Sequence, residues 1–186
     1  MIENAVLKAI YERKTARSYL DIPLTDEEVN ALTLAAVSAP SAMNVQPWNV
    51  IAVKNKELIL EMEREICAFY EQHGPATLAE RNRGRGLKIF YDAPLVIFIP
   101  VNDAKYKFVD CGICVENIAI AAKGMGLDSV ILGMPNVIFS DEYGDKWKNR
   151  LGFPEDSVFG IAIAIGHSED KKPPHEPDLS KITVID

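Results

Sequence analysis

Five consecutive residues, Leu95-Val96-Ile97-Phe98-Ile99, are apolar, and three of them are β-branched. A strand with one wet face alternates apolar and polar side chains, so an unbroken apolar run reads as a strand covered on both faces. Asp92-Ala93-Pro94 introduces the run. Ser157 to Ile165, where Ile and Ala alternate, suits a central strand with tight packing. Asn49 to Val53 and Asp128 to Leu132 are two further strand segments by their β-branched content.

Between these segments lie helical patterns. Ile2, Ala5, Val6, Ala9 and Ile10 recur at helical spacing and predict a helix over residues 2–12. Thr25-Asp26-Glu27-Glu28 is a capping box, with Leu24 and Val29 placed as a hydrophobic staple. Val29, Leu32, Ala36 and Val37 carry the apolar face of that helix to about Ser38. A third helix is predicted from Lys56 to Tyr70. Glu71 to Gly86 is polar, contains Gly74-Pro75 and a repeat of arginines, and is expected to be an irregular surface segment or lid. Asp110 to Met125 is the most apolar helix, and one that is apolar nearly all round is normally buried, here suggesting a homodimer interface. Ser140 is expected to cap a short helix carrying Tyr143, Trp147 and Leu151. Helices and strands mix without strict alternation, which indicates an α+β fold with four or five strands flanked by helices. No repeat or linker divides residues 1–186, so one domain is expected.

Composition narrows the function. A net charge of −7 argues against nucleic acid as the principal partner, because such binding needs a basic footprint. No apolar run approaches the ~18 residues that suggest a membrane span. The N-terminus carries no basic flank or apolar signal core, and three cysteines make no disulfide framework, so a reducing cytoplasm is the expected home.

Positive charge nevertheless gathers locally, in Arg13-Lys14-Thr15-Ala16-Arg17, around Arg81, Arg83, Arg85 and Lys88, and at Lys171-Lys172. The first of these combines planar guanidinium forks, an ammonium and a hydroxyl, the donor set of an anion cradle. Ala39 to Trp48 carries two prolines, a tryptophan and the side chains of Ser41, Asn44 and Gln46, and reads either as a loop capping its own backbone or as a wall presented to a ligand. Other signals are weak. Gly84-Arg85-Gly86 and Gly124-Met125-Gly126 are not dinucleotide fingerprints. Cys111-Gly112-Ile113-Cys114 lies on the most apolar helix, and His73, His167 and His175 show no metal-ligand spacing, so no metal is expected.

Taken together, Arg13-Lys14-Thr15-Ala16-Arg17 and Pro40-Ser41-Ala42-Met43-Asn44-Val45-Gln46-Pro47-Trp48 resemble the two FMN-binding segments of the FMN-dependent nitroreductase family. The order of Asp92-Ala93-Pro94, Asp110, Gly126-Leu127, Leu132-Gly133 and Ile165-Gly166-His167 is similar too, so the resemblance covers almost the whole chain. It implies a mostly antiparallel α+β homodimer with FMN sites built from both subunits. Arg13, Lys14, Thr15 and Arg17 would surround the phosphate and ribityl oxygens, and Lys171 or Lys172 would reach the phosphate. Pro40, Ser41, Asn44 and Gln46 would come from the other subunit, with Leu132 and Gly133 beside the ring. The implied activity is transfer of hydride from NADH or NADPH, through flavin N5, to a nitroaromatic, quinone or similar small-molecule acceptor. The flavin carries that chemistry and no side chain is singled out as catalytic. The resemblance equally admits a specialised flavoenzyme of the same fold, for dehalogenation or flavin fragmentation, and a non-catalytic FMN-binding module. Glu71–Lys88, which covers the substrate side in many relatives, has no family pattern here.

Overall fold

A computed structural model describes residues 4–185, with the side chains of all of these except residues 81 and 141–143. Four strands, β1 (Ile51–Val53), β2 (Leu95–Val101), β3 (Asp128–Leu132) and β4 (Val158–Gly166), form one sheet in the order β1-β2-β4-β3. Every neighbouring pair is antiparallel. The apolar run is buried at all seven positions of β2, as a strand covered on both faces must be. β4 lies beside it in the middle of the sheet, as its Ile and Ala pattern predicts. At Gly160 an added Cβ would stand 2.6 Å from the Ile99 carbonyl oxygen and 2.7 Å from Cys111 Sγ, so only glycine admits this close approach.

Six helices cover the sheet: α1 (Ala5–Glu12), α2 (Asp26–Val37), α3 (Lys56–His73), α4 (Ala76–Gly84), α5 (Lys107–Gly124) and α6 (Asp141–Leu151). One face packs Leu95, Ile97, Ile99, Ile163 and Ile165 against α2 and α5. The other packs Val96, Phe98, Ala162 and Ala164 against α3 and α6. The capping box of α2 forms as read: the Thr25 hydroxyl accepts from Glu28 N–H at 3.2 Å, and the Glu28 carboxylate accepts from Thr25 N–H at 2.7 Å.

Several expectations are corrected. Residues 76–84 are helical rather than irregular: Pro75 brings a φ of −56° to the helix start, and Ala79 is buried beneath. Arg83 ties α4 to the end of α3 through Glu71 at 2.8 Å. The first helix begins after Asn4, whose side chain accepts from Leu7 N–H, and Ile2 lies outside the described residues. Val6 and Ile10, on the apolar side of this helix, are 62% and 40% exposed. α5 begins at Lys107, three residues before the expected start; Cys111, Cys114, Ile118 and Ala122 are covered within the chain, while Phe108 and Val109 of the added turn stand open. Ser140 does sit at the N-cap of α6, but its hydroxyl donates back to the Asn136 carbonyl at 3.3 Å instead of capping the helix. Tyr143's side chain lies outside the described residues. Among the described residues no helix is long and apolar enough to cross a membrane.

Candidate functional site

The basic segment following α1 lies along the outer edge of β3. Thr15 bridges Ser129, and Ala16 N–H donates to the Ser129 carbonyl at 3.0 Å. Its cations then divide. Arg13 pairs with Glu116 of α5 at 3.3 Å. Lys14 is largely buried, lies 3.5 Å from the Asp128 carboxylate and donates to the Asp170 carbonyl. Lys123 reaches the same carboxylate at 3.2 Å. Arg17 is exposed, and no ion pair forms with it among the described residues.

The chain after β4 folds back onto this segment. Leu20 N–H donates to the His167 carbonyl at 2.8 Å, and Ser168 Oγ donates to the Ser18 carbonyl at 2.9 Å. The Asp170 carboxylate accepts from Arg17 N–H at 3.3 Å and from Lys172 N–H at 2.8 Å. Those backbone N–H groups, the one from Lys172 first, hold the Asp170 carboxyl below the usual carboxylate range, with Lys14 and Lys172 adding to the effect. Lys171 and Lys172 are exposed. Among the described residues, neither forms an ion pair. The backbones at Arg17 and Lys172, far apart in sequence, thus meet at one carboxylate.

β3 leads from this place to Leu132 and Gly133. Leu132 is buried opposite Ala162, and Gly133 is exposed at the strand end. A strand rises roughly 3.4 Å per residue, which puts Leu132 about 10 Å along the edge from Ser129.

The loop from Ala39 to Trp48 stands on the other edge. Trp48 is buried and bridges Val101, so the loop enters the sheet at the β1 side. Within it Met43, Asn44 and Gln46 have φ of 52°, 54° and 49°, a left-handed conformation that costs energy for residues with a Cβ. Hydrogen bonds hold that shape: Ser41 Oγ accepts from Gln46 N–H at 2.9 Å, and Gln46 Nε2 donates to Asn44 Oδ1 at 2.9 Å. Buried Asp110, in the first turn of α5, accepts from Ala42 N–H at 3.1 Å. Pro40 is exposed and Met43 is 88% exposed. At about 4.8 Å per strand, three steps separate the β1 and β3 edges by about 14 Å. One chain therefore brings Arg13, Lys14, Thr15, Arg17, Lys171 and Lys172 into one neighbourhood, with Leu132 and Gly133 further along the same edge. It does not bring Pro40, Ser41, Asn44 or Gln46 to them.

Other polar groups have local duties. In the basic stretch near residue 85, Arg85 donates to the Tyr91 hydroxyl at 3.2 Å and Lys88 pairs with Asp92, while Arg81's side chain lies outside the described residues. Burial pushes the thiols of Cys111 and Cys114 up to about 12, which suits packing rather than nucleophilic chemistry. Glu63, buried on α3, accepts from Ile89 N–H at 2.5 Å and Phe90 N–H at 2.7 Å, and burial pushes its carboxyl up. Sequence reasoning assigned no role to Asp110, Asp128 or Asp170. For Asp110 the signal was a lone acid in the first turn of an apolar helix; the part Asp170 plays at the basic segment carried none, because Arg17 and Lys14 lie more than 150 residues away.

Comparison with known proteins follows the same outline. A family model described as the Nitroreductase family matches residues 10–167. A nitroreductase with bound FMN from Desulfitobacterium hafniense DCB-2 is similar over 100% of both chains, at 39% identity and a TM-score of 0.95. An Archaeoglobus fulgidus protein provisionally named NADH dehydrogenase/NAD(P)H nitroreductase is 31% identical, over 92% of this chain and 90% of the relative. The nitrobenzene nitroreductase of Ectopseudomonas oleovorans is 26% identical, over 94% of this chain and 92% of its own length.

Proposed function

The chain belongs to the nitroreductase family, and from that premise we propose that it is a cytoplasmic FMN-dependent oxidoreductase. In this reading it takes hydride from NADH or NADPH and delivers it to a nitroaromatic, a quinone or a similar small electrophile. The observation that carries the proposal is the joining of the Arg17 and Lys172 backbones at Asp170 near one end of β3, where the side chains of Arg17, Lys171 and Lys172 are exposed, with exposed Gly133 at the other end. Exposed cations gathered without partners repel one another, and a phosphate satisfies them with charge-assisted hydrogen bonds.

The residues fit the cofactor in order along the edge. Arg17, Thr15 and the lysine pair serve the phosphate and ribityl oxygens. Arg13 and Lys14 add positive potential while tied to Glu116 and Asp128. Leu132 and the backbone at Gly133 lie where the ring would rest. Pro40, Ser41, Asn44 and Gln46 reach that ring only from a second copy, since their own edge is about 14 Å away. A homodimer also covers the exposed Val6, Ile10, Phe108 and Val109, an apolar surface of the kind that marks an interface. Bound FMN supplies the hydride chemistry, and the single FMN-binding domain formed by residues 1–186 holds it, orients it and keeps water from the ring.

The test is anaerobic titration of the FMN-loaded protein with NADH or NADPH, expected to bleach the flavin, followed by reoxidation with a panel of nitro compounds and quinones. Bound FMN that neither nucleotide reduces would make the chain a binding module instead. Arg17→Ala should raise the Kd for FMN roughly 10- to 100-fold, the worth of one charge-assisted contact of about 1.5–3 kcal/mol. Its Tm should hardly move, because the side chain is exposed.

A further inference from the structure

Resting on the flavin reading above, we propose that Asp170 is a positioning residue: it fastens the segment after β4 to the basic segment after α1 and so places Lys172 beside Arg17 for the phosphate. Each polar part of Asp170 is engaged in that fastening. One carboxylate oxygen accepts from Lys172 N–H at 2.8 Å, a turn that an aspartate makes with the residue two places on. The other accepts from Arg17 N–H at 3.3 Å. Its own N–H donates to Ser168 Oγ at 2.9 Å, and Ser168 Oγ donates in turn to the Ser18 carbonyl. Its carbonyl accepts from Lys14, whose ammonium is anchored on Asp128 at 3.5 Å. Lys14 therefore acts from beneath, joining the start of β3 to the returning chain.

A bare carboxylate beside a phosphate would oppose binding. Here both oxygens are occupied by backbone N–H groups, while the side chains of Arg17, Lys171 and Lys172 stand exposed. The opposite arrangement is a carboxylate standing in for the phosphate on the same two N–H groups. The two predict opposite signs. Removing a fastening weakens FMN binding, whereas removing a stand-in strengthens it.

The experiment titrates full-length apoprotein with FMN and with riboflavin, which lacks the phosphate, following the quenching of flavin fluorescence. Asp170→Ala should weaken FMN binding by about tenfold or more and riboflavin binding by less than about twofold, the signature of one misplaced phosphate contact. Asp170→Asn keeps the acceptor for Lys172 N–H and should recover FMN affinity to within about threefold of wild type. Lys14→Met should weaken FMN in the same selective manner. Unchanged or tighter FMN binding by Asp170→Ala would overturn the proposal, as would an equal loss of both flavins in the alanine and asparagine variants. Wild-type protein that binds no FMN would instead overturn the flavin reading, and this inference with it.

Discussion

The two edges of the sheet are built in different ways. At the β3 edge the basic segment and the returning chain are sewn together by contacts between residues 14–20 and 167–172, and the cations left over face outward. At the β1 edge the loop satisfies itself, with Ser41 and Asn44 accepting from Gln46, and keeps three left-handed residues in place. Its outer surface is apolar and open, Met43 and Val45 being 88% and 50% exposed. The first edge is held together by residues distant in sequence, with the side chains of Arg17, Lys171 and Lys172 exposed. The second is shaped by its own hydrogen bonds and by Asp110 of α5, while its outer face stays open. Strained backbone that the surroundings over-determine is a mark of function, and under the proposed function its partner would be a second copy of the chain.

The contrast can be broken most severely at the apolar surface. Val109→Asp places a carboxylate in the first turn of α5, where the helix dipole favours it and the side chain is 62% exposed, so the monomer should keep its fold. It should nevertheless yield monomers that lose FMN, measured by sedimentation with absorbance detection of the flavin. A dimer that survives the change with flavin bound would remove that face from the shared site.

A smaller change sharpens the account of the loop. Ser41→Ala deprives Gln46 N–H of its acceptor while the backbone there stays left-handed. The expected loss is about 1 kcal/mol, a fall in Tm of roughly 2–4 °C for a chain of this size. No fall would mean that the loop is held by something other than its own hydrogen bonds.

The gentlest test uses pH. A carboxyl whose pKa is lowered on folding contributes stability above its unfolded value and loses it as pH falls through the lower, folded one. Asp170 is such a group. Amide protection at Arg17 and Lys172, corrected for intrinsic exchange, should persist at neutral pH and drop on acidification below the ordinary carboxylate range. Gln46 N–H, bonded to a hydroxyl that does not titrate, should keep its protection over the same interval.

Much of the fold was legible where local chemistry and burial agree. Leu95–Ile99 had no polar position to expose, and the Thr25–Glu28 box closes within one turn, so neither depended on distant contacts. Residues 76–84 misled because a short polar helix with little buried surface has the composition of a loop; among its described side chains, Ala79 and Asn82 are the ones that seat deeply on what lies beneath. Val6 shows what periodicity leaves open: it tells which side of a helix is apolar, not whether the same chain covers it.

The candidate site divides likewise. Its cations and its loop were visible as residue types, because arginine, lysine and amide side chains carry their chemistry wherever they are placed. Their partition was not. That Lys14 turns inward to Asp128 while Arg17 remains exposed depends on which carboxylates the fold sets nearby. Asp170 gathers N–H groups from both ends of the chain. By itself the sequence determined the covered strand, the capped helix and the residue inventory of the candidate site. Only the tertiary structure decided that its cations and its loop stand on opposite edges of one sheet. Local pattern sets what each segment can do, whereas pairing between distant strands sets where each segment stands.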